Sequence, residues 1–138
     1  MLITAVSFKG NCNDAIAFYQ KSLGAKVKSI AHFKDAPTTD WAIGMDLPPD
    51  YVMDSEVIID GQSVMMTDGA TGIPTADFFS FCLIKDTEEQ VREVFGKLAD
   101  GGKIIEALAP VFWSSLYGVV EDKFGFCWMI MTSQEYVR

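Results

Sequence analysis

Two rhythms alternate along the chain, one of period two and one of period 3.6, and each glycine-rich break separates one from the other. Thr4 to Phe8 reads as a strand. Cys12, Ala15, Ile16, Tyr19 and Leu23 then fall on one helical stripe, with Asn11 as N-cap, Asp14 three residues on, and Gly24 where a C′ glycine stops a helix. Lys26 to Phe33 alternates as a strand. The next stretch, 34–53, is broken by Asp35-Ala36-Pro37 and by Leu47-Pro48-Pro49-Asp50, with room for a short strand at Trp41 to Met45. Asp60-Gly61 between Val57-Ile58-Ile59 and Val64-Met65-Met66 is a strong hairpin signal.

After a Gly/Thr/Asp-rich loop, Phe78 to Ile84 is an apolar run of strand length. Asp86-Thr87-Glu88-Glu89 has the D-x-x-E form of a capping box, and Val91, Val94, Phe95 and Leu98 form the stripe of the helix that follows. Gly101-Gly102 ends it. Lys103 to Ala109 returns as a strand that Pro110 interrupts. An aromatic hairpin from Phe112 to Met131 closes the chain, turning at Asp122-Lys123-Phe124-Gly125.

The order strand, capped helix, glycine stop, strand, hairpin occurs twice. At an offset of 77 residues, Phe18 falls on Phe95, Gly24 on Gly101, Lys26 on Lys103 and Val27 on Ile104. A doubled β-α-β-β-β unit excludes a doubly wound parallel sheet, which needs a helix between successive strands. The predicted fold class is α+β: one domain over 1–138, with module one at about 1–68, a loop at about 69–76 and module two at about 77–138.

Composition narrows the partners. Formal net charge is −8 with no Lys/Arg stripe to offset it, which disfavours nucleic acid and anionic membrane surfaces. No apolar run nears the ~18 residues that span a bilayer, and Met1 to Phe8 lacks the features of a signal peptide. A cytoplasmic address is expected. Cys12, Cys82 and Cys127 are odd in number and far apart, which fits reduced thiols better than a disulfide framework. A Cys82 or Cys127 nucleophile would need a base such as His32, the single histidine, and the spacing does not bring them together.

Gly10-Asn11-Cys12-Asn13-Asp14-Ala15 leading to Phe18-Tyr19, Leu23-Gly24-Ala25, Gly101-Gly102-Lys103, Phe112-Trp113, Tyr117-Gly118 and Asp122-Lys123-Phe124-Gly125-x-x-Trp128 together form a pattern. It resembles the PhnB-like branch of the glyoxalase/bleomycin-resistance, or vicinal oxygen chelate, superfamily across nearly the whole chain. The resemblance implies two βαβββ modules forming an open mixed β-barrel, helices outside, around a ligand cavity, commonly in a homodimer. Superfamily enzymes hold a divalent metal with His, Glu or Gln, and those slots carry over to Thr4, Met66, Ser80 and Met129. None is a good ligand for such an ion, so no metal and no cofactor are expected. The sequence also departs from the branch at Asp54, where relatives often have His, and at Met131, where Asn is frequent.

Strand parity extends the slots to a cavity lining of Thr4, Val6, Val64, Met66, Ser80, Cys82, Cys127, Met129 and Met131, and puts Phe79, Phe81, Phe126, Trp128 and Ile130 on the helix side. Trp41 and Tyr51 are lid candidates. Such a lining suits a small, mainly apolar organic ligand. A metal-dependent lyase or dioxygenase of the superfamily is the alternative, and a structural dimer with a filled barrel is a third reading. Members of the branch often carry a methyltransferase label linked to demethylubiquinone; the chain has no glycine-rich G-x-G strand-to-helix turn for a nucleotide-like cofactor, which argues against that label.

Overall fold

The computed structural model describes residues 1–36, 48–68 and 79–133. The chain divides into two compact units, Met1–Pro74 and Thr75–Arg138. The expected strand at Trp41 to Met45 and the whole 69–76 loop lie outside the described residues.

In the first unit β1 (Thr4–Phe8) leads into α1 (Cys12–Leu23), then β2 (Lys26–His32), a short 3-10 turn at Phe33–Asp35, β3 (Val52–Ile59) and β4 (Gln62–Asp68). The sheet order is β1-β4-β3-β2, with β1 parallel to β4 and the other pairs antiparallel. The β3–β4 turn places both Asp60 (φ 50°) and Gly61 (φ 81°) at positive φ, the conformation that an Asp-Gly pair tolerates best in a two-residue hairpin loop.

The second unit repeats the plan. Its elements are β5 (Phe81–Lys85), α2 (Glu88–Ala99), β6 (Lys103–Val111), β7 (Ser114–Glu121) and β8 (Cys127–Thr132), in the order β5-β8-β7-β6 with β5 parallel to β8. Both units are therefore βαβββ modules. Among the described residues their strands form two mixed four-stranded sheets and no closed barrel. β1 and β5 correspond residue for residue at the offset of 77.

Several local expectations shift. The fifth strand starts at Phe81, leaving Phe79 and Ser80 in the segment before it. The second helix is capped one residue later than the D-x-x-E reading: Thr87 Oγ1 accepts from Gln90 N at 3.1 Å, and Gln90 Oε1 accepts from Thr87 N at 3.2 Å. Strand β6 runs through Pro110. It is the edge strand of its sheet, so the missing N–H costs no ladder bond on the open side.

Asn11 sits at the N-cap of α1 but makes no side-chain cap. Asp68, at the end of β4, serves the helix start instead. It is buried, accepts Gly10 N at 2.8 Å and Cys12 N at 3.1 Å, and takes Val52 N at 2.9 Å on its other oxygen. One carboxylate thus ties α1, β3 and β4 together.

In the second unit α2 packs Val91, Val94, Phe95 and Leu98 onto the sheet. Gly118 on β7 leaves room for it: a Cβ there would lie 2.6 Å from Phe95 Cε2, 2.9 Å from Leu108 Cδ2 and 3.1 Å from the Glu106 carbonyl oxygen. Gly118→Ala is expected to destabilise by about 1–3 kcal/mol through overpacking, measured by urea unfolding. A change below half a kilocalorie would show that α2 can move aside.

Candidate functional site

Asp68 fixes the orientation of the first sheet. Its carboxylate reaches the start of α1, so the residues sharing its face, Val64 and Met66 on β4 and their register partners Thr4, Val6 and Phe8 on β1, lie on the helix-covered side. Val6, Phe8, Val64 and Met66 are all buried there, Met66 to 1% exposure, together with Val57 and Ile59 of β3. This corrects the parity reading for this unit. Val6, Val64 and Met66 belong to the core under α1, and Thr4, on the same side of the sheet, is half-buried.

The other face of that sheet carries Ala5, Ser7, Glu56, Ser63, Met65 and Thr67. The physical reason for the slip is that Val64-Met65-Met66 is apolar on both sides, so alternation gives no direction there. The Glu56 carboxylate accepts the Ser63 hydroxyl at 2.7 Å and the Lys28 ammonium at 3.4 Å. The Ser63 hydrogen bond, with Lys28 adding to it, holds Glu56 below the usual glutamate range.

In the second unit the orientation is read from Gly118, whose missing side chain faces Phe95 of α2. Gly118 pairs with Ile130, and Ile130 with Leu83; two residues along, Val120 pairs with Trp128 and Trp128 with Phe81. These rings and aliphatics form the α2-covered layer. Phe81 stacks on Trp128 at 4.6 Å between ring centroids and Phe126 lies 6.2 Å from Phe81, whereas Phe79 is exposed.

The opposite face of this sheet brings together Cys82, Cys127, Met129 and Met131 with Ile84, Tyr117 and Val119. Cys82 is exposed, Cys127, Met129 and Tyr117 are half-buried, and Met131 and Val119 are buried. Ser80 precedes β5 and is not one of its ladder residues. Tyr117 stands beside Met131 in the register and packs edge-on against Trp113 at 5.2 Å. Burial raises the Tyr117 hydroxyl above its ordinary range, and Glu106, Cys82 and Cys127 push the same way, so these groups share one electrostatic neighbourhood. Burial, with Glu121 alongside, also raises the Cys127 thiol.

Of the remaining candidates, Tyr51 is half-buried with its phenol against Gly10 at the entrance to α1, and Trp41 lies outside the described residues. His32 is joined through Nε2 to Asn13 Oδ1 at 3.1 Å and sits 3.8 Å from Asp35 through Nδ1. Cys12 is buried beneath α1. Burial, with Asp68 nearby, pushes its thiol up to about 12, which makes it an inert core thiol.

The registers also test the superfamily's metal. Ala5 pairs with Met65 in the first unit and Cys82 with Met129 in the second, Ala5 and Cys82 being equivalent at the offset of 77. Neither this set nor Thr4, Met66, Ser80 and Met129 supplies an imidazole or carboxylate, so the residues do not fit a hard or borderline dication. Among the described residues, no three His, Cys, Asp or Glu side chains are gathered as ligands.

Sequence reasoning passed over Asp68, Asp122 and Tyr117 as working residues. Asp122 was within reach, since it opens the D-K-F-G-x-x-W string: its buried carboxylate accepts Phe124 N at 2.9 Å, Phe126 N at 3.1 Å and Trp128 Nε1 at 2.9 Å. Tyr117 could have been found by counting from Trp128 across the hairpin.

The family model of 3-demethylubiquinone-9 3-methyltransferase matches residues 1–131. Protein YjdN of Escherichia coli is 37% identical over 133 residues, covering 91% of this chain and 90% of its own. The solved structure of a putative 3-demethylubiquinone-9 3-methyltransferase, PhnB protein, from Bacillus cereus superposes with TM-score 0.78 at 24% identity over 96% of this chain and 98% of that one. The fosfomycin resistance protein FosX of Listeria monocytogenes shares the fold at TM-score 0.69 and 13% identity, over 98% and 94% of the two chains. No helix among the described residues is long and apolar enough to cross a membrane.

Proposed function

Because the chain belongs to the family described as 3-demethylubiquinone-9 3-methyltransferase, the PhnB-like branch of the vicinal oxygen chelate superfamily, we propose that it keeps the superfamily's fold as a binding module for a small, mainly apolar organic molecule and does without the divalent metal. The observation that carries this reading is the open face of the second sheet. There Met129, a slot that the resemblance carries over from the metal ligands, lies beside Cys82 and Cys127, with Tyr117 opposite Met131. Thioether and thiol side chains are polarisable and adapt to flat or irregular apolar ligands, while a single phenol hydroxyl can orient one polar group.

Methyl transfer is not part of the proposal. It requires a bound methyl donor, and neither βαβββ module contains the glycine-rich strand-to-helix turn that would hold a nucleotide-like donor in a Rossmann unit.

The test is calorimetric titration with a panel of small aromatic and alicyclic compounds, repeated on Met129→Ala after elemental analysis of the purified protein. At least one compound should bind, and the substitution should weaken it by about tenfold, the loss of roughly 1.4 kcal/mol, with little change in melting temperature. Stoichiometric Mn, Fe, Ni or Zn in the purified protein would overturn the metal-free part. Ligand binding unaffected by Met129→Ala would remove this face as the site.

A further inference from the structure

Of the four sulfur-bearing side chains on the open face of the second sheet, three are grouped at its β5–β8 end, and we propose that Cys82, Cys127 and Met129 form a site for a soft monovalent cation, Cu(I). Cys82 on β5 stands directly opposite Met129 on β8, and Cys127 lies two residues before Met129 on the same strand and therefore on the same face. Nothing in this arrangement depends on the organic-ligand reading. All three side chains come from a single unit.

The spacing decides what the two thiols can do together. Strands ~4.8 Å apart and a rise of ~3.3 Å per residue put the Cα atoms of diagonal neighbours roughly 8 Å apart. That exceeds the ~7 Å limit for a disulfide without backbone movement, and neither cysteine is in a disulfide. A bridging ion has no such limit: metal–thiolate bonds of ~2.3 Å join sulfurs up to ~4.6 Å apart, a distance that rotation about the two χ1 bonds can reach across one diagonal. The Met129 thioether, in line with Cys82, is then positioned as a third donor.

Donor chemistry chooses the ion. Two thiolates and a thioether are soft ligands that favour Cu(I), and three sulfur donors without an imidazole fall short of the four-coordinate Cys/His sets that hold Zn(II). Access is open, since Cys82 is exposed and the other two are half-buried. Glu121 lies opposite Cys127 in the β7–β8 register, so the patch attracts a cation. On binding, both thiols lose their protons to solvent and the ion replaces them, leaving one net negative charge on the ligand set.

The experiment uses the full chain, reduced and anaerobic, in competition with a chromophoric Cu(I) chelator. One Cu(I) per chain is expected. Cys82→Ser and Cys127→Ser should each weaken binding by at least about 100-fold, and Met129→Leu, which removes only the sulfur, by about 10-fold, at or beyond the range seen for lost outer-shell partners. Cys12→Ser should change nothing. In the unsubstituted chain, Cu(I) should protect Cys82 and Cys127 together from alkylation, read by mass mapping, which settles the matter even if a variant folds poorly. Two results would overturn the site: unchanged affinity in both Cys82→Ser and Cys127→Ser, or no joint protection of the two thiols.

Discussion

Trp128→Ala should lower stability by about 3–5 kcal/mol, the cost of deleting a large buried ring, and should depress the melting temperature by roughly 10–20 °C for a chain of this size. The ring is only 2% exposed and lies in the layer between the second sheet and α2, against Phe81. Its indole N–H donates to Asp122 Oδ2 at 2.9 Å, so truncation also takes one partner from a buried carboxylate. Trp128→Phe separates the two effects. It keeps most of the packing and loses the hydrogen bond, for an expected cost of about 1–2 kcal/mol. Urea unfolding monitored by circular dichroism measures both. An unchanged midpoint in Trp128→Ala would mean that Trp128 faces away from α2, and the assignment of Cys127 and Met129 to the open face would fall with it.

The second large effect belongs to Asp68. Asp68→Ala removes a buried acceptor from three backbone N–H groups, those of the buried Cys12 and Val52 and of the half-buried Gly10. Each buried donor left unsatisfied costs about 1–3 kcal/mol, and since the three share one carboxylate the losses overlap, giving a total of about 3–5 kcal/mol. Asp68→Asn should recover only part of this. Its oxygen can still serve the α1 start, but its NH₂ group then points a donor at Val52 N. Hydrogen exchange gives the localised readout: the amides of Gly10, Cys12 and Val52 should exchange faster in both variants, and a loss below about 1 kcal/mol in Asp68→Ala would show that water replaces the carboxylate.

The second helix illustrates how finely local sequence can be read. Both Asp86-x-x-Glu89 and Thr87-x-x-Gln90 satisfy the capping-box pattern. The structure uses the second, because the helix begins where the apolar stripe of Val91, Val94, Phe95 and Leu98 meets the sheet. Frame choices of this kind depend on packing and lie within the one-residue uncertainty of helix ends.

Face assignment shows the same division more sharply. In β8, Trp128 and Ile130 alternate with Cys127 and Met129, large apolar against small or soft, a contrast that agrees with the face that the resemblance gives Met129. β1 and β4 have no such contrast. The signal that could have oriented them was the repeat itself: the offset that sets Gly24 on Gly101 also sets Ala5 on Cys82 and Thr4 on Phe81, which places Thr4 in the helix-side layer.

By itself the sequence determined the elements, their order, their duplication and the family, because helix and strand periods, turn glycines and the spacing of Asp122 from Trp128 are properties of neighbouring residues. It also gave the residue types at the slots that the resemblance carries over, Thr4, Met66, Ser80 and Met129, which do not depend on register. Only the tertiary structure decided which face of the first sheet is open, that α1 is capped by a carboxylate 56 residues away, and that Cys82, Cys127 and Met129 lie side by side. These are long-range pairings. Whether two distant residues meet is set by strand register and helix docking, which one stretch of chain does not encode alone.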